Sequence, residues 1–203
     1  MIISCYNKDG IGDVLLVMTK NSIPKDQDFE TKEKITRIFN NVTKETVGYN
    51  FFDVSNHIQI NGNGPLTLDA EQIRVVNTLL SKEGFTDQLK IDKAPKFVVG
   101  YVKECVLHPN SDHLSITQIE IDNQEVVQIV CGASNIAIGQ KVVVAKVGAM
   151  MTDGTTIWDG ELRGESSHGM VCSARELGIK ETTAKKGILI LSDSSITGTE
   201  FLI

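Results

Sequence analysis

The sequence lacks the features that mark membrane-embedded, secreted or strongly basic proteins. It contains no run of about 18 apolar residues, the length that predicts a transmembrane helix. Residues 1–9 lack the basic start and the long apolar segment of a signal peptide. Lys and Arg number 20 against 26 Asp and Glu, and the resulting net charge of −6 opposes general attraction of polyanions. We therefore expect a cytoplasmic protein without membrane contact, in which a nucleic-acid partner needs a local basic patch.

Cysteine and aromatic residues are also scarce. The four cysteines are widely spaced and form no C-x-x-C pair, so they indicate neither a disulfide framework nor a zinc ribbon. Buried, reduced thiols are the simpler interpretation. From residue 95 onward the sequence has only four aromatic residues, Phe97, Tyr101, Trp158 and Phe201. An extended aromatic platform for stacking bases is therefore not expected.

The composition is that of an ordinary globular protein, and its texture changes near the middle of the chain. The sequence has 203 residues, of which 41% are hydrophobic and 23% are charged. The polar stretch from Asp87 to Pro95 ends in proline and separates two kinds of pattern. We place the domain boundary there, with one domain at residues 1–94 and another at residues 95–203. The second domain carries 9 Lys and Arg against 13 Asp and Glu, hence −4.

The first domain is predicted to mix strands and helices. Two apolar runs around Asp9-Gly10 indicate a hairpin, formed by residues 1–5 and Val14 to Met18. Apolar residues at 35, 38 and 39 share one face of a helix, which we predict between Asp28 and Asn40. Tyr49 to Ile60 is typical of a strand. A second helix is expected from a cap at Thr67 or Asp69 to Gly84. The prediction for this domain is an α+β fold of unknown role.

The second domain is predicted to be all-β. Helical periodicity stops after residue 95, and short β-branched runs separated by glycines take its place. Strands at intervals of about 8 to 12 residues indicate a small, closed or nearly closed barrel, and five strands are the economical number. The predicted runs are Phe97 to Val99, Ile116 to Ile121, Val126 to Val130, Lys141 to Val147 and Ile188 to Leu191.

Two groups of residues could support metal or thiol chemistry. Cys105, His108, Asp112 and His113 lie within nine residues and include zinc ligands, although His108-Pro109-Asn110 is also typical of a turn. His168 could activate Cys131 or Cys172 as a nucleophile, but only if the folded chain brings the groups together. Buried, inert cysteines are the alternative. We expect no enzyme activity, no metal and no cofactor.

The segment from Leu162 to Gly178 is the most unusual in the chain. It combines two arginines, several hydroxyl or imidazole donors, glycines and Met170 in a short space. Such a loop can offer donors to the phosphates and riboses of RNA. It can equally be a turn that closes a barrel, with glycines at positive φ and Met170 filling the core. The residues alone leave both interpretations open.

These motifs together resemble the tRNA-binding domain of the oligonucleotide/oligosaccharide-binding (OB) fold. That domain occurs in the β subunit of bacterial phenylalanyl-tRNA synthetase, in many methionyl-tRNA synthetases and in stand-alone dimeric tRNA-binding proteins, some with a short α+β leader. The resemblance covers residues 95–200, and the segment from Lys186 to Leu191 resembles the synthetase version. The matching segments are residues 99–102, 108–114, 128–135, 139–142, 162–164 and 167–173.

The resemblance implies a non-enzymatic protein that binds tRNA through shape and backbone contacts. It implies that Arg163 holds a phosphate and that Ser167 and Ser173 bond ribose or phosphate. It also implies a homodimer, and a synthetase or other protein is a further partner to consider. A protein-interaction or chaperone-like module that uses the same barrel is the alternative function. The expected tRNA-binding residues are Asn135, Lys141, Lys146, Arg163, Ser167, Met170 and Ser173.

Overall fold

A computed structural model describes residues 1–91, 93–180 and 187–203. The chain forms two compact units, Met1–Lys93 and Ala94–Ile203. Each unit has its own buried apolar core. In the part of the chain that the structure describes, no helix is both long and apolar enough to cross a bilayer. Lys186, which belongs to the segment that resembles the synthetases, lies outside the described residues.

The first unit is a six-stranded antiparallel sheet with one long helix. The sheet order is β3-β4-β5-β2-β1-β6. The α+β prediction is therefore only partly supported, because strands predominate. The strands are β1 (Ile3–Tyr6), β2 (Val14–Met18), β3 (Gln27–Lys32), β4 (Ile35–Asn40), β5 (Thr46–Phe52) and β6 (Gly64–Leu66), and the helices are α1 (Lys8–Ile11) and α2 (Ala70–Lys82).

The N-terminal hairpin and the long helix are confirmed. Strand β1 pairs antiparallel with β2, and the four-residue α1 occupies the turn between them. Of the two residues predicted to cap α2, Asp69 is the one that does so. Its Oδ1 accepts from the Gln72 N–H over 2.8 Å, and the Gln72 Oε1 accepts from the Asp69 N–H over 3.0 Å. Helix α2 ends just before Gly84, whose φ of +72° is the left-handed conformation expected there.

The helix predicted between Asp28 and Asn40 is wrong, because this segment forms the β3–β4 hairpin. Its residues pair across the hairpin, with Phe29 opposite Ile38 and the Arg37 Nη1 lying 3.2 Å from the Glu30 Oε1. β-Branched residues and such cross-strand pairs favour a strand over a weak helical stripe. The strand predicted over Tyr49 to Ile60 is also too long. It ends at Phe52, and a 3-10 turn follows at Val54–Asn56.

The second unit is mostly β, and its main sheet forms a nearly closed barrel. The sheet order is β13-β10-β7-β8-β9, and β14 also pairs with β10. The β11–β12 hairpin forms a separate ribbon. The strands are β7 (Phe97–Leu107), β8 (Ser115–Glu120), β9 (Val126–Cys131), β10 (Lys141–Ala145), β11 (Gly160–Leu162), β12 (Glu165–Ser167), β13 (Met170–Val171) and β14 (Ile190–Leu191).

Close packing inside the barrel explains why Gly100 stands in the middle of β7. A Cβ atom at this position would lie 2.7 Å from the Cγ2 atoms of Ile119 and Val144. Both neighbours are fully buried, so they have little room to move. The interior core consists of Val98, Val102, Ile119, Ile121, Ile129, Cys131, Val142, Val144, Val171 and Ile188.

Candidate nucleic-acid interface

The β11–β12 hairpin presents Arg163 at its tip. Leu162 pairs with Glu165, so Arg163 and Gly164 form a two-residue turn with φ of +51° and +94°. Two positive φ values are typical of a type I′ turn, whose right-handed twist matches that of the strands. Asparagine and glycine are the usual residues in such turns. An exposed arginine therefore occupies a position where the backbone conformation favours other residues.

The loop between β7 and β8 lies against this hairpin. The His108 ring is only 3% exposed, and its Nε2 lies 3.1 Å from the Leu162 carbonyl oxygen. The Asn110 N–H donates to the His108 Nδ1 over 3.0 Å. Arg163 donates from Nη1 to the Asn110 carbonyl oxygen over 2.8 Å. Elements far apart in sequence thus form one surface, which consists of residues 108–113 and 160–167.

Arg163 retains most of its hydrogen-bonding capacity. A guanidinium carries five N–H donors, and the bond to Asn110 uses one of them. Across residues 1–91, 93–180 and 187–203, the structure shows no carboxylate within ion-pair distance of Arg163. The remaining donors form a planar fork that can bind a phosphate in a bidentate manner.

His113 and Asp112 lie on the same loop and are exposed. The His113 Nδ1 is 2.8 Å from the Asp112 Oδ1. This hydrogen bond lowers the pKa of Asp112. The carboxylate of Asp112 therefore remains ionised at neutral pH. Its negative charge would repel a phosphate that approaches this loop.

Ser167 belongs to the same hairpin, but its side chain faces the barrel wall. It is 5% exposed, and its Oγ accepts from the Val130 N–H over 3.1 Å. The neighbouring His168 N–H donates to the Gln128 carbonyl oxygen over 2.8 Å. These bonds join the hairpin to β9 and close much of the barrel. The structure therefore brings Arg163 and Ser167 onto one hairpin, with different surroundings.

A row of uncharged amides extends from the hairpin across the sheet. Gln118 on β8 lies opposite Gln128 on β9, and the Gln118 Nε2 donates to the Gln128 Oε1 over 2.9 Å. The Gln128 Nε2 donates in turn to the Ser166 carbonyl oxygen over 2.9 Å. Sequence reasoning missed both residues, because their adjacency depends on strand register. Their partly exposed amides suit hydrogen bonds to ribose or to base edges.

The two lysines expected at the interface both have local partners. Lys146 donates to both carboxylate oxygens of Asp122, over 2.7 and 2.9 Å, and both side chains are more than four-fifths buried. Lys141 donates to the Thr197 Oγ1, and its Nζ lies 4.6 Å from the centre of the Tyr101 ring. The charge of Lys146 is thus compensated inside the unit, while Lys141 remains partly exposed.

Asn135 clamps the backbone of Ile188. Its Nδ2 donates to the Ile188 carbonyl oxygen, and its Oδ1 accepts from the Ile188 N–H, each over 3.0 Å. Both ends of the amide are therefore used. Asn135 holds a segment 53 residues away against the barrel.

Met170 and Ser173 follow the hairpin along β10. Met170 lies opposite Ala145 and packs against the apolar cluster on the outside of the barrel. The Ser173 Oγ donates to the Glu176 Oε2 over 2.7 Å, and the same carboxylate accepts from the Ser173 N–H. This S-x-x-E arrangement is a capping pattern that the sequence contained. Ser173 thus stabilises the turn after β13, while Met170 contributes to apolar packing.

The metal and thiol alternatives lack support in the geometry. Within the described residues, no group of three or more His, Cys, Asp or Glu side chains could hold a metal ion. Burial raises the pKa of Cys131, and it raises the pKa of Cys172 to about 12. A buried thiol with a raised pKa is a poor nucleophile. His168 is exposed, and its Nδ1 lies 2.7 Å from the Asp159 Oδ1.

Two family models match separate parts of the chain. The family described as "Domain of unknown function (DUF4479)" matches residues 24–92, and the family described as "Putative tRNA binding domain" matches residues 97–200. The "Putative tRNA-binding protein YtpR" of Bacillus subtilis is 45% identical over 196 residues, which cover 97% of each chain.

Phenylalanine–tRNA ligase β subunits match part of this chain over a small part of their own length. That of Halalkalibacterium halodurans is 50% identical over 109 residues, or 52% of this chain and 14% of the ligase subunit. That of Staphylococcus aureus strain MRSA252 is 41% identical over 133 residues, or 64% of this chain and 16% of the subunit. With its full-length match to the Bacillus subtilis protein, the chain belongs to the YtpR family, and its second unit belongs to the "Putative tRNA binding domain" family.

Proposed function

We propose that the second unit is an OB-fold barrel that binds tRNA without catalysing a reaction on it. OB folds bind oligonucleotides with the face of their second and third strands and with the loops after their first and fourth strands. In this barrel those parts are β8, β9, the loop at 108–114 and the connection that carries the β11–β12 hairpin. The observation that carries the proposal is that Arg163 lies where these parts meet, in a unit that matches a tRNA-binding family.

The charges favour binding through backbone contacts and shape. Arg163 would bind a phosphate, while Gln118 and Gln128 would bond to riboses beside it. Lys141 would add positive charge near β10. Ser167, Met170, Ser173, Asn135 and Lys146 would chiefly hold the barrel and its loops in the geometry that fits folded RNA, since each of them has a partner within the unit.

The first experiment is a titration of the purified chain with bulk tRNA. Fluorescence anisotropy of labelled tRNA would be measured at about 50 and about 200 mM salt, because phosphate contacts weaken as salt rises. A DNA duplex of similar length is the control. We expect preferential, salt-sensitive binding of tRNA. Equal affinity for the duplex, or no binding at low salt, would contradict the proposal.

Substitution of Arg163 tests where the RNA lies. Arg163→Ala should weaken tRNA binding about tenfold, because a charge-assisted hydrogen bond is lost. It should also reduce the slope of log K against log salt by about one, the value for one phosphate contact. Arg175→Ala is the matched control, since it removes an exposed arginine from the same unit. Equal effects of the two substitutions would show general electrostatics instead of a contact at Arg163.

A protein partner is the second candidate function. Val106 and Leu107 at the end of β7 are 57% and 79% exposed, and the second unit is acidic overall. Exposed apolar residues can mark a protein interface. A partner protein, including a synthetase, that co-purifies with the chain after nuclease treatment would favour this function.

Location and assembly complete the proposal. We propose that the protein acts in the cytoplasm, in translation, and as a homodimer, as its resemblance to stand-alone tRNA-binding proteins implies. Sedimentation of the purified chain tests the dimer, and a monomeric mass at micromolar concentration would contradict it. Cell fractionation tests the location.

A further inference from the structure

Two hydrogen bonds join the loop after β7 to the β11–β12 hairpin, and a third lies within the loop. They connect the His108 Nε2 with the Leu162 carbonyl oxygen, the Asn110 N–H with the His108 Nδ1, and the Arg163 Nη1 with the Asn110 carbonyl oxygen. Their lengths are 3.1, 3.0 and 2.8 Å. Together they link the His108 ring to Leu162, the neighbouring Arg163 to Asn110, and Asn110 back to the His108 ring.

We propose that His108 is a positioning residue for tRNA binding, whose buried ring fixes the hairpin against the loop and so holds the Arg163 guanidinium where it meets a phosphate. The inference rests on the proposed function, because it gives His108 no contact with RNA. The ring is 3% exposed and already bonded at both nitrogens. It therefore acts through Arg163.

A neutral imidazole fits both partners of this ring. Nδ1 accepts from Asn110, so the proton resides on Nε2, which donates to Leu162. Loss of either bond would leave a backbone group, the Leu162 carbonyl or the Asn110 N–H, without its partner in the protein. Pro109 has no N–H, so Asn110 supplies the first donor after His108. The turn is further closed by the Ser111 N–H, which donates to the His108 carbonyl oxygen over 3.2 Å.

Two substitutions separate the two bonds of the ring. Glutamine places an amide nitrogen as many bonds from Cβ as the His108 Nε2, so His108→Gln can still donate to Leu162 and fasten the hairpin. Asparagine places an acceptor where Nδ1 stands and favours turns of this kind, so His108→Asn keeps the bond to Asn110 but does not reach Leu162. The positioning role predicts that His108→Gln binds tRNA within about threefold of the wild type, and that His108→Asn loses about tenfold, as Arg163→Ala does.

A double-mutant cycle distinguishes positioning from a general effect on the fold. If His108 acts through Arg163, the variant His108→Asn/Arg163→Ala binds no more weakly than Arg163→Ala alone, and both show the same reduced salt slope. Additive losses would overturn the inference. Fluorescence of Trp158, the only tryptophan in the sequence, checks that each variant retains a folded barrel.

Nuclear magnetic resonance of the free protein tests the geometry independently of RNA. In the wild type, the His108 ring should show the tautomer protonated at Nε2. The amide signals of residues 162–165 should shift in His108→Asn and stay near their wild-type positions in His108→Gln. A ring protonated at Nδ1 would overturn the positioning role even if tRNA binds. So would amide signals of residues 162–165 that stay unchanged in both variants. Failure of the wild type to bind tRNA would instead reject the proposed function.

Discussion

Arg163 combines an unfavourable backbone conformation with an exposed, only partly used side chain. A left-handed conformation costs a residue with a Cβ atom about 1 kcal/mol relative to glycine. The φ of Arg163 is +51°, and its neighbour Gly164 takes the other positive φ of the turn. The bond to Asn110 recovers part of this cost and points the guanidinium along the loop. The exposed N–H donors of the guanidinium remain available to a ligand, so their planar arrangement is the property that we test first.

Arg163→Lys separates charge from geometry. Lysine keeps the positive charge and the same backbone cost, but it lacks the planar fork that binds phosphate in a bidentate manner. We expect tRNA affinity between those of the wild type and Arg163→Ala, with the salt slope of the wild type. Anisotropy titrations at several salt concentrations measure both quantities. A wild-type affinity for Arg163→Lys would show that the guanidinium acts only as a point charge.

Cys172 should be among the least reactive thiols of the chain. It is fully buried, and at pH 8 a thiol with a pKa of about 12 is ionised in only about one molecule in 10,000. We expect iodoacetamide to modify the partly exposed Cys105 well before Cys172, as measured by mass spectrometry of peptides. In urea the two should react at similar rates. Modification of Cys172 before Cys105 in the folded protein would contradict this prediction and would favour Cys172 as a nucleophile.

At the scale of elements, agreement between prediction and structure depends on whether the signal is local. Helix α2 was predictable because its cap at Asp69, its apolar stripe and Gly84 lie within one short segment. The β3–β4 hairpin was not predictable in the same way. Its strands depend on cross-strand pairs such as Phe29 with Ile38, whereas the spacing of its apolar residues is also that of a helical stripe.

The same distinction applies to the candidate interface. The motif that contains Arg163 can be read from the sequence, and its contact with RNA stays a prediction. By contrast, the bond between His108 and Leu162 spans 54 residues and that between Asn135 and Ile188 spans 53. The pairing of Lys146 with Asp122 depends likewise on how the barrel folds. The residue types of a site can thus be recognised in a sequence, whereas their partners depend on the tertiary structure.

The cap of α2 offers a prediction at this scale. Asp69→Ala removes the acceptor of the Gln72 N–H and should lower the free energy of unfolding of the first unit by about 1 kcal/mol. Asp69→Asn is the control, since asparagine caps helices about as well as aspartate. Urea titration followed by far-UV circular dichroism measures the change, while Trp158 fluorescence follows the second unit. Equal midpoints for Asp69→Ala and the wild type would show that the cap contributes nothing.

For the molecule as a whole, negative charge predominates, and the stability of the first unit depends on where that charge is held. Asp87 lies after α2 and accepts hydrogen bonds from the Thr46 hydroxyl and, over 2.5 Å, from the Tyr49 hydroxyl. The Arg37 Nε lies 3.8 Å from the same carboxylate oxygen. Burial alone would raise the pKa of Asp87, but the two hydroxyl bonds and the arginine outweigh it and lower the pKa.

A lowered pKa in the folded state makes the stability of this unit sensitive to acid. Ionised Asp87 contributes its full stabilisation above the pKa of an unfolded aspartate, about 3.9, and the contribution disappears as the pH falls from there through the folded value. We expect the urea midpoint of the first unit to fall below pH 4 in the wild type. Asp87→Asn should lower that midpoint at pH 7 and make its decline in acid shallower.

The matched control is Asp28→Asn, which removes an exposed carboxylate from β3 in the same unit. It should leave both the midpoint at pH 7 and the acid slope close to those of the wild type. The barrel, followed by Trp158 fluorescence, should respond to neither substitution if Asp87 acts only within its own unit. An acid slope for Asp87→Asn as steep as that of the wild type would assign the acid sensitivity to other carboxylates, of which Asp13, held by Tyr6 and Ser55 with a lowered pKa, is the next to test.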